Sequence, residues 1–171
     1  MHFVNLYRSG IKNFCTMKTL HFILGFLMIA FFAKAQVKQN SDGLYANADG
    51  TLFSGTLSLD ENGIKKSTLE IKDGKLNGEA KYYYASGKLM ETGTYETGLK
   101  SGKWIRYNEG GMMIGIAAYA AGKKDGTWIV YDDNGKKRFE MNYKNGEKTG
   151  VWNNWDENGA IVSTKDYGQM N

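Results

Sequence analysis

The sequence predicts an all-β fold: an antiparallel meander of β-hairpin repeats, with about ten strands in one elongated, twisted sheet. Three observations lead there. Glycines recur every 24 residues in three series: Gly78, Gly102, Gly126 and Gly150; Gly87, Gly111, Gly135 and Gly159; Gly74, Gly98, Gly122 and Gly146. Aromatics keep the same step: Trp104, Trp128 and Trp152; Tyr83, Tyr107, Tyr131 and Trp155; Tyr95, Tyr119, Tyr143 and Tyr167. No long amphipathic helical pattern interrupts them. A fixed period of this length marks units that stack on their neighbours to complete a core, and such chains present surfaces rather than enclose reactions.

The N-terminal stretch stands apart from the repeats. Residues 1–16 read as an upstream extension, because Met17-Lys-Thr-Leu-His is a better start. Residues 17–35 read as a signal peptide: a basic start, an apolar run from Phe22 to Phe32, and an Ala-x-Ala exit. Cleavage is expected after Ala35, leaving Gln36 first, so the protein is expected to be exported to the periplasm, the cell envelope or the medium. The alternative is an uncleaved anchor, for which the run is short against the roughly 20 apolar residues of a membrane span.

Removing the leader changes the chemistry. The full chain carries a formal charge of +4. Arg8, Lys12, Lys18 and Lys34 lie in the leader and no acid does, so acids and bases are equal in the rest. Nucleic-acid binding needs a surplus of positive charge and is excluded. Both histidines (His2, His21) and Cys15 also leave, which removes zinc sites on Cys or His and His-dependent nucleophile arrangements. No cofactor and no catalytic residue set is expected.

Residues 36–54 read as a cap hairpin and 55–171 as repeats, with units starting near 55, 78, 102, 126 and 150. Gly126-Thr-Trp-Ile-Val-Tyr supplies a strand, Asp133-Asn134-Gly135 a turn, and Lys136–Tyr143 the returning strand. Asn145-Gly-Glu-Lys-Thr-Gly150 reads as the connection to the next unit, with siblings at 73–78, 97–102 and 121–126. All three glycine series are therefore expected in turns. The unit from Gly55 is one residue short in its first turn; Leu57 takes the Trp slot and Ile71 the Tyr slot. Atypical ends are expected of caps.

In-register aromatics should stack into ladders across the sheet. Trp104 and Tyr107 are three apart, which in a regular strand means opposite faces. Either both faces carry aromatic rows or a bulge re-aims one. Trp104, Trp128, Trp152, Tyr107, Tyr131 and Trp155 form the candidate contact surface, while the Tyr95, Tyr119, Tyr143 and Tyr167 series reads as structural.

The segments 102–111 (Gly-Lys-Trp-Ile-Arg-Tyr-Asn-Glu-Gly-Gly) and 126–135, with the linker 145–150, resemble MORN repeats, in the variant form of the YwqK-family antitoxins. The resemblance covers about residues 43–167. It implies a hairpin-repeat sheet used for association with a protein partner, a toxin or an envelope protein, or with a membrane surface. It carries no catalytic residues.

Two other chemistries are weighed. Asp132-Asp133-Asn134-Gly135 and Asp156-Glu157-Asn158-Gly159 have the acids of a calcium site without its spaced ligand series, and turn chemistry explains them. Glu79, Glu91 and Glu140 are the candidates for a carboxylate-pair hydrolase, which needs two acids about 5–9 Å apart beside a cleft. The reading is an exported non-catalytic protein-interaction module, antitoxin-like in its sharpest form. The alternatives are peripheral membrane or envelope binding, and a carbohydrate-binding module or hydrolase.

Overall fold

The computed structural model describes residues 36–169. The expected leader, including Ala35, lies outside the described residues. A two-stranded cap, β1 (Lys38–Gln39) with β2 (Tyr45–Ala46), precedes β3 (Gly55–Glu61), β4 (Ile64–Lys72), β5 (Lys75–Tyr83), β6 (Leu89–Glu96), β7 (Leu99–Tyr107), β8 (Met113–Ala120), β9 (Lys123–Lys124), β10 (Gly126–Tyr131), β11 (Lys137–Lys144), β12 (Glu147–Trp155) and β13 (Ile161–Asp166). β3 to β13 form one open antiparallel sheet in sequence order. β9 and β10 are one strand interrupted at Asp125, whose N–H donates to Ala118 O at 3.0 Å. The sequence expectation of an all-β hairpin meander therefore holds.

The two kinds of turn follow from their residues. At one sheet end the chain reverses through three-residue loops in which Gly87, Gly111, Gly135 and Gly159 donate back to Tyr84, Asn108, Asp132 and Asp156 carbonyls at 2.9–3.2 Å. At the other end it reverses in two residues. Thr97-Gly98, Ala121-Gly122 and Asn145-Gly146 all have positive φ at both positions, the condition for the type I′ turn that matches strand twist. The short first hairpin uses the same device at Asn62-Gly63, which accounts for its missing residue.

This corrects one expectation. The six-residue connections are not loops, because strands resume directly after each two-residue turn. Gly78, Gly102 and Gly150 lie inside strands, and Gly126 begins one. In three of the strand pairs one residue of the earlier strand faces three of the later, and the repeat glycine is among the three. Positive φ (+116° at Gly78, +64° at Gly102) is what such a bulge requires. Turn and bulge impose the same demand on glycine, so spacing alone does not tell them apart.

The turns also stitch successive units. Gly98, Gly122 and Gly146 donate N–H to the carbonyls of Leu76, Lys100 and Lys124 at 2.7–2.9 Å. At the cap, Gly74 donates to Phe53 O at 2.9 Å, so the cap continues the stitching in the same pattern. The core sits on one sheet face near that end, around Leu69, Ala80 and Trp104, with Leu76, Tyr82, Tyr95, Ala117 and Tyr119 against it.

Candidate functional site

Cross-strand pairs share a face, and register assigns the rows. Gly78, Gly102 and Gly126 lie directly opposite Tyr95, Tyr119 and Tyr143. On the same face Trp104 pairs Ala117 and Trp128 pairs Met141. The rings form one unbroken ladder: Tyr95–Trp104 at 5.0 Å between centroids, then Trp104–Tyr119 6.4, Tyr119–Trp128 5.2, Trp128–Tyr143 5.6, Tyr143–Trp152 5.1 and Trp152–Tyr167 4.8 Å. Each indole N–H donates to the carbonyl ten residues earlier: Trp104 to Thr94 (3.2 Å), Trp128 to Ala118 (2.9 Å) and Trp152 to Asn142 (2.9 Å).

The sequence reading passed over the lysines that complete this ladder. Lys100, Lys124 and Lys148 place their ammonium groups 3.7, 4.2 and 4.7 Å from the Trp104, Trp128 and Trp152 centroids. Each also reaches the next tyrosine, Tyr119, Tyr143 or Tyr167. Their signal was the same 24-residue step, four residues before each tryptophan. Cation–π contact of this kind holds an ammonium group on the ring face.

The candidate contact residues therefore divide. Trp104 is 1% exposed and packs as core. Trp128 and Trp152 are half-buried, their N–H groups engaged within the repeat. Tyr107, Tyr131 and Trp155 each lie beside a one-residue register shift on the returning strand, and Tyr131 is among the residues lining a hollow on the ladder face. Among the described residues none of the three joins the aromatic ladder.

A second row on the ladder face is less filled. Register runs it Tyr82–Glu91–Arg106–Gly115–Val130–Phe139. Val130 is 37% and Phe139 43% exposed, an apolar pair beside a hollow over Gly115 and Ala117. Trp128 and Arg106 line the hollow, with Glu91, Asp132 and Asp133 at its margins. The acids are engaged: Glu91 with Lys100 at 3.7 Å, Asp132 with Arg138 at 3.6 Å, Asp133 with Asn108 Nδ2 at 3.2 Å. The N–H of Lys136 is the main cause holding the Asp132 carboxyl below the usual range. The Tyr82 hydroxyl, 3.2 Å from that of Tyr95, is pushed well above the usual phenol range, first by burial and then by that contact.

The remaining candidates do not converge. Glu91 is on the ladder face, while Glu79 and Glu140 alternate to the other face, paired with Lys81 (2.7 Å) and Lys137 (2.6 Å). Asp132 Oδ1 accepts the Asn134 and Lys136 N–H groups, and Asp156 Oδ1 those of Asn158 and Ala160. These acids cap their own turns. In the basic triplet, Lys136 donates to Glu157 O, Lys137 pairs Glu140, and Arg138 pairs Asp132.

Residues 76–97 and 124–145 match the MORN repeat variant family. The two matched stretches begin two periods apart, each covering one strand, its three-residue turn and the returning strand. No curated protein matches the chain. Among solved structures, a chain of the crystal structure of the GtfA/B complex bound to UDP and GlcNAc aligns at 13% identity and a TM-score of 0.30, covering 66% of this chain and 23% of that one. A score that low carries no argument about fold or function.

Proposed function

We propose that the chain is an exported, non-catalytic repeat protein that binds a protein partner on its ladder face. MORN repeats are in general protein- or membrane-interaction modules. The observation that carries the reading is the exposed apolar pair Val130 and Phe139 beside a partly open hollow on the ladder face. Apolar area left open beside polar neighbours marks interaction surfaces. An antitoxin-like role, in which the partner is a toxin held inactive, is the sharpest form of this reading and rests on the YwqK resemblance. Export rests on the leader of residues 17–35.

Crosslinking in the native cell and capture of the C-terminally tagged full chain tests it. A single stoichiometric protein, lost on Phe139→Ser, supports the reading, and a captured chain beginning at Gln36 supports export. Recovery with lipid or glycan and no protein sinks it in favour of the membrane or carbohydrate alternative.

A further inference from the structure

The hollow has a cause in the repeat frame. Stepping by 24 residues, the slot of Gly115 is occupied by Glu91, Phe139 and Ser163 in the other hairpins, and the slot of Ala117 by Gly93, Met141 and Lys165. The next hairpin thus carries a phenylalanine and a methionine where β8 carries a hydrogen and a methyl. Trp104 lies over Gly93 and covers the matching space in the preceding hairpin. Over Gly115 no such cover exists: a Cβ added there meets only Ile129 O at 3.7 Å and Arg106 Cβ at 3.9 Å, ordinary contact distances.

Charge adds a direction. Arg106 stands directly opposite Gly115 and is exposed. Glu91, its partner on the other side, is turned to Lys100. Among the described residues no carboxylate lies within ion-pair distance of Arg106, whereas the acids around the hollow already have donors. The hollow therefore presents apolar space with one uncompensated cation beside it.

We propose that this hollow is the seat for one bulky apolar side chain of the protein partner, Phe, Met or Leu, with an adjacent acidic residue of the partner pairing with Arg106. The inference rests on the protein-binding reading above and names the recognition element within it. Val130 and Phe139 extend the seat along the row, so the partner segment crosses the strands of the ladder face. A buried apolar anchor beside a charge-assisted bidentate contact is the combination that concentrates binding energy at interfaces.

The test selects a displayed library of random linear peptides on the full chain and on three variants. Gly115→Phe and Ala117→Met fill the seat with the residues the next hairpin already carries, and their thermal unfolding is compared with the parent. Arg106→Glu changes only an exposed charge. On the parent, peptides pairing Phe, Met or Leu with Asp or Glu are expected. Filling the seat should weaken them about tenfold or more, the effect of losing one buried apolar side chain. Arg106→Glu should replace the acidic preference with Lys or Arg. No such motif, equal binding to Gly115→Phe, or an unchanged acidic preference on Arg106→Glu overturns the proposal. Capturing the native partner with Gly115→Phe separates the two ideas. A partner retained undiminished overturns the seat and leaves the protein-binding reading standing, whereas absence of any partner on the parent chain removes that reading itself.

Discussion

Gly93→Ala adds one methyl group, and its effect should reverse sign with its neighbour. A Cβ at Gly93 would lie inside the van der Waals envelope of the Trp104 indole, against ring atoms rather than a flexible end. The ring has little room to withdraw: Tyr82, Tyr95 and Tyr119 lie 6.3, 5.0 and 6.4 Å from its centroid, and Lys100 sits over it at 3.7 Å. Overpacking of this kind costs about 1–3 kcal/mol. At roughly 4 °C per kcal/mol for a domain of this size, the melting temperature should fall by about 4–12 °C. The φ of Gly93 is not positive, so backbone strain does not contribute. In a Trp104→Ala background the clash is gone, and Ala in a strand is favoured over Gly by about 0.5–1 kcal/mol. Urea unfolding of the four proteins, followed by circular dichroism, gives the double-mutant cycle. The reasoning fails if Gly93→Ala is neutral in the parent, or if it destabilises both backgrounds equally.

Other consequences follow from the same geometry. Trp104→Ala should cost about 3–5 kcal/mol, and Trp152→Ala less, because only the first is fully buried; equal losses in urea titration would contradict the burial gradient. Lys124→Met should cost about 0.5–1 kcal/mol and change Trp128 emission, with little dependence on salt, whereas the exposed Lys144–Asp125 pair should weaken as salt rises. Thr97, a β-branched residue at φ +49°, should accept Asn with a gain of about 0.5–1 kcal/mol in thermal unfolding, since Asn tolerates that region. Tyr82 keeps its proton in the folded state above the pH at which an unfolded tyrosine loses it. Its contribution is thus complete below the ordinary phenol range and is lost as pH rises through that range toward the raised folded value. Stability should fall less steeply in Tyr82→Phe than in the parent between about pH 9 and 11.5.

The period carried the fold because each recurrent residue has one recurrent task. Gly87, Gly111, Gly135 and Gly159 close three-residue turns, and the Tyr95 series stacks on the tryptophans, as spacing alone suggested. The Gly78 series was misplaced because a bulge and a turn both ask for positive φ. Trp104 is indistinguishable from Trp128 and Trp152 in sequence. Its burial comes from what its unit happens to face: Gly93 beneath it and Leu69 beside it, in a slot that changes from hairpin to hairpin, and Ala80 where later units carry Trp. The hollow at Gly115 and Ala117 was equally hidden. It is visible only when register puts Gly115 beside Arg106 and Val130, with Ala117 and Trp128 lining the same space, and shows that no side chain covers the glycine. The lysine series was legible and overlooked, since its role depends on rings carried by other strands.

The central claim is that partners meet the ladder face and not its reverse. A photo-crosslinking amino acid placed singly at Phe139 or Val130, and on the reverse face at Glu140 or Thr127, tests it in the native cell. The account predicts that one protein is crosslinked from positions 139 and 130 and is absent from 140 and 127. Crosslinks confined to the reverse face, or none from any position, would contradict it.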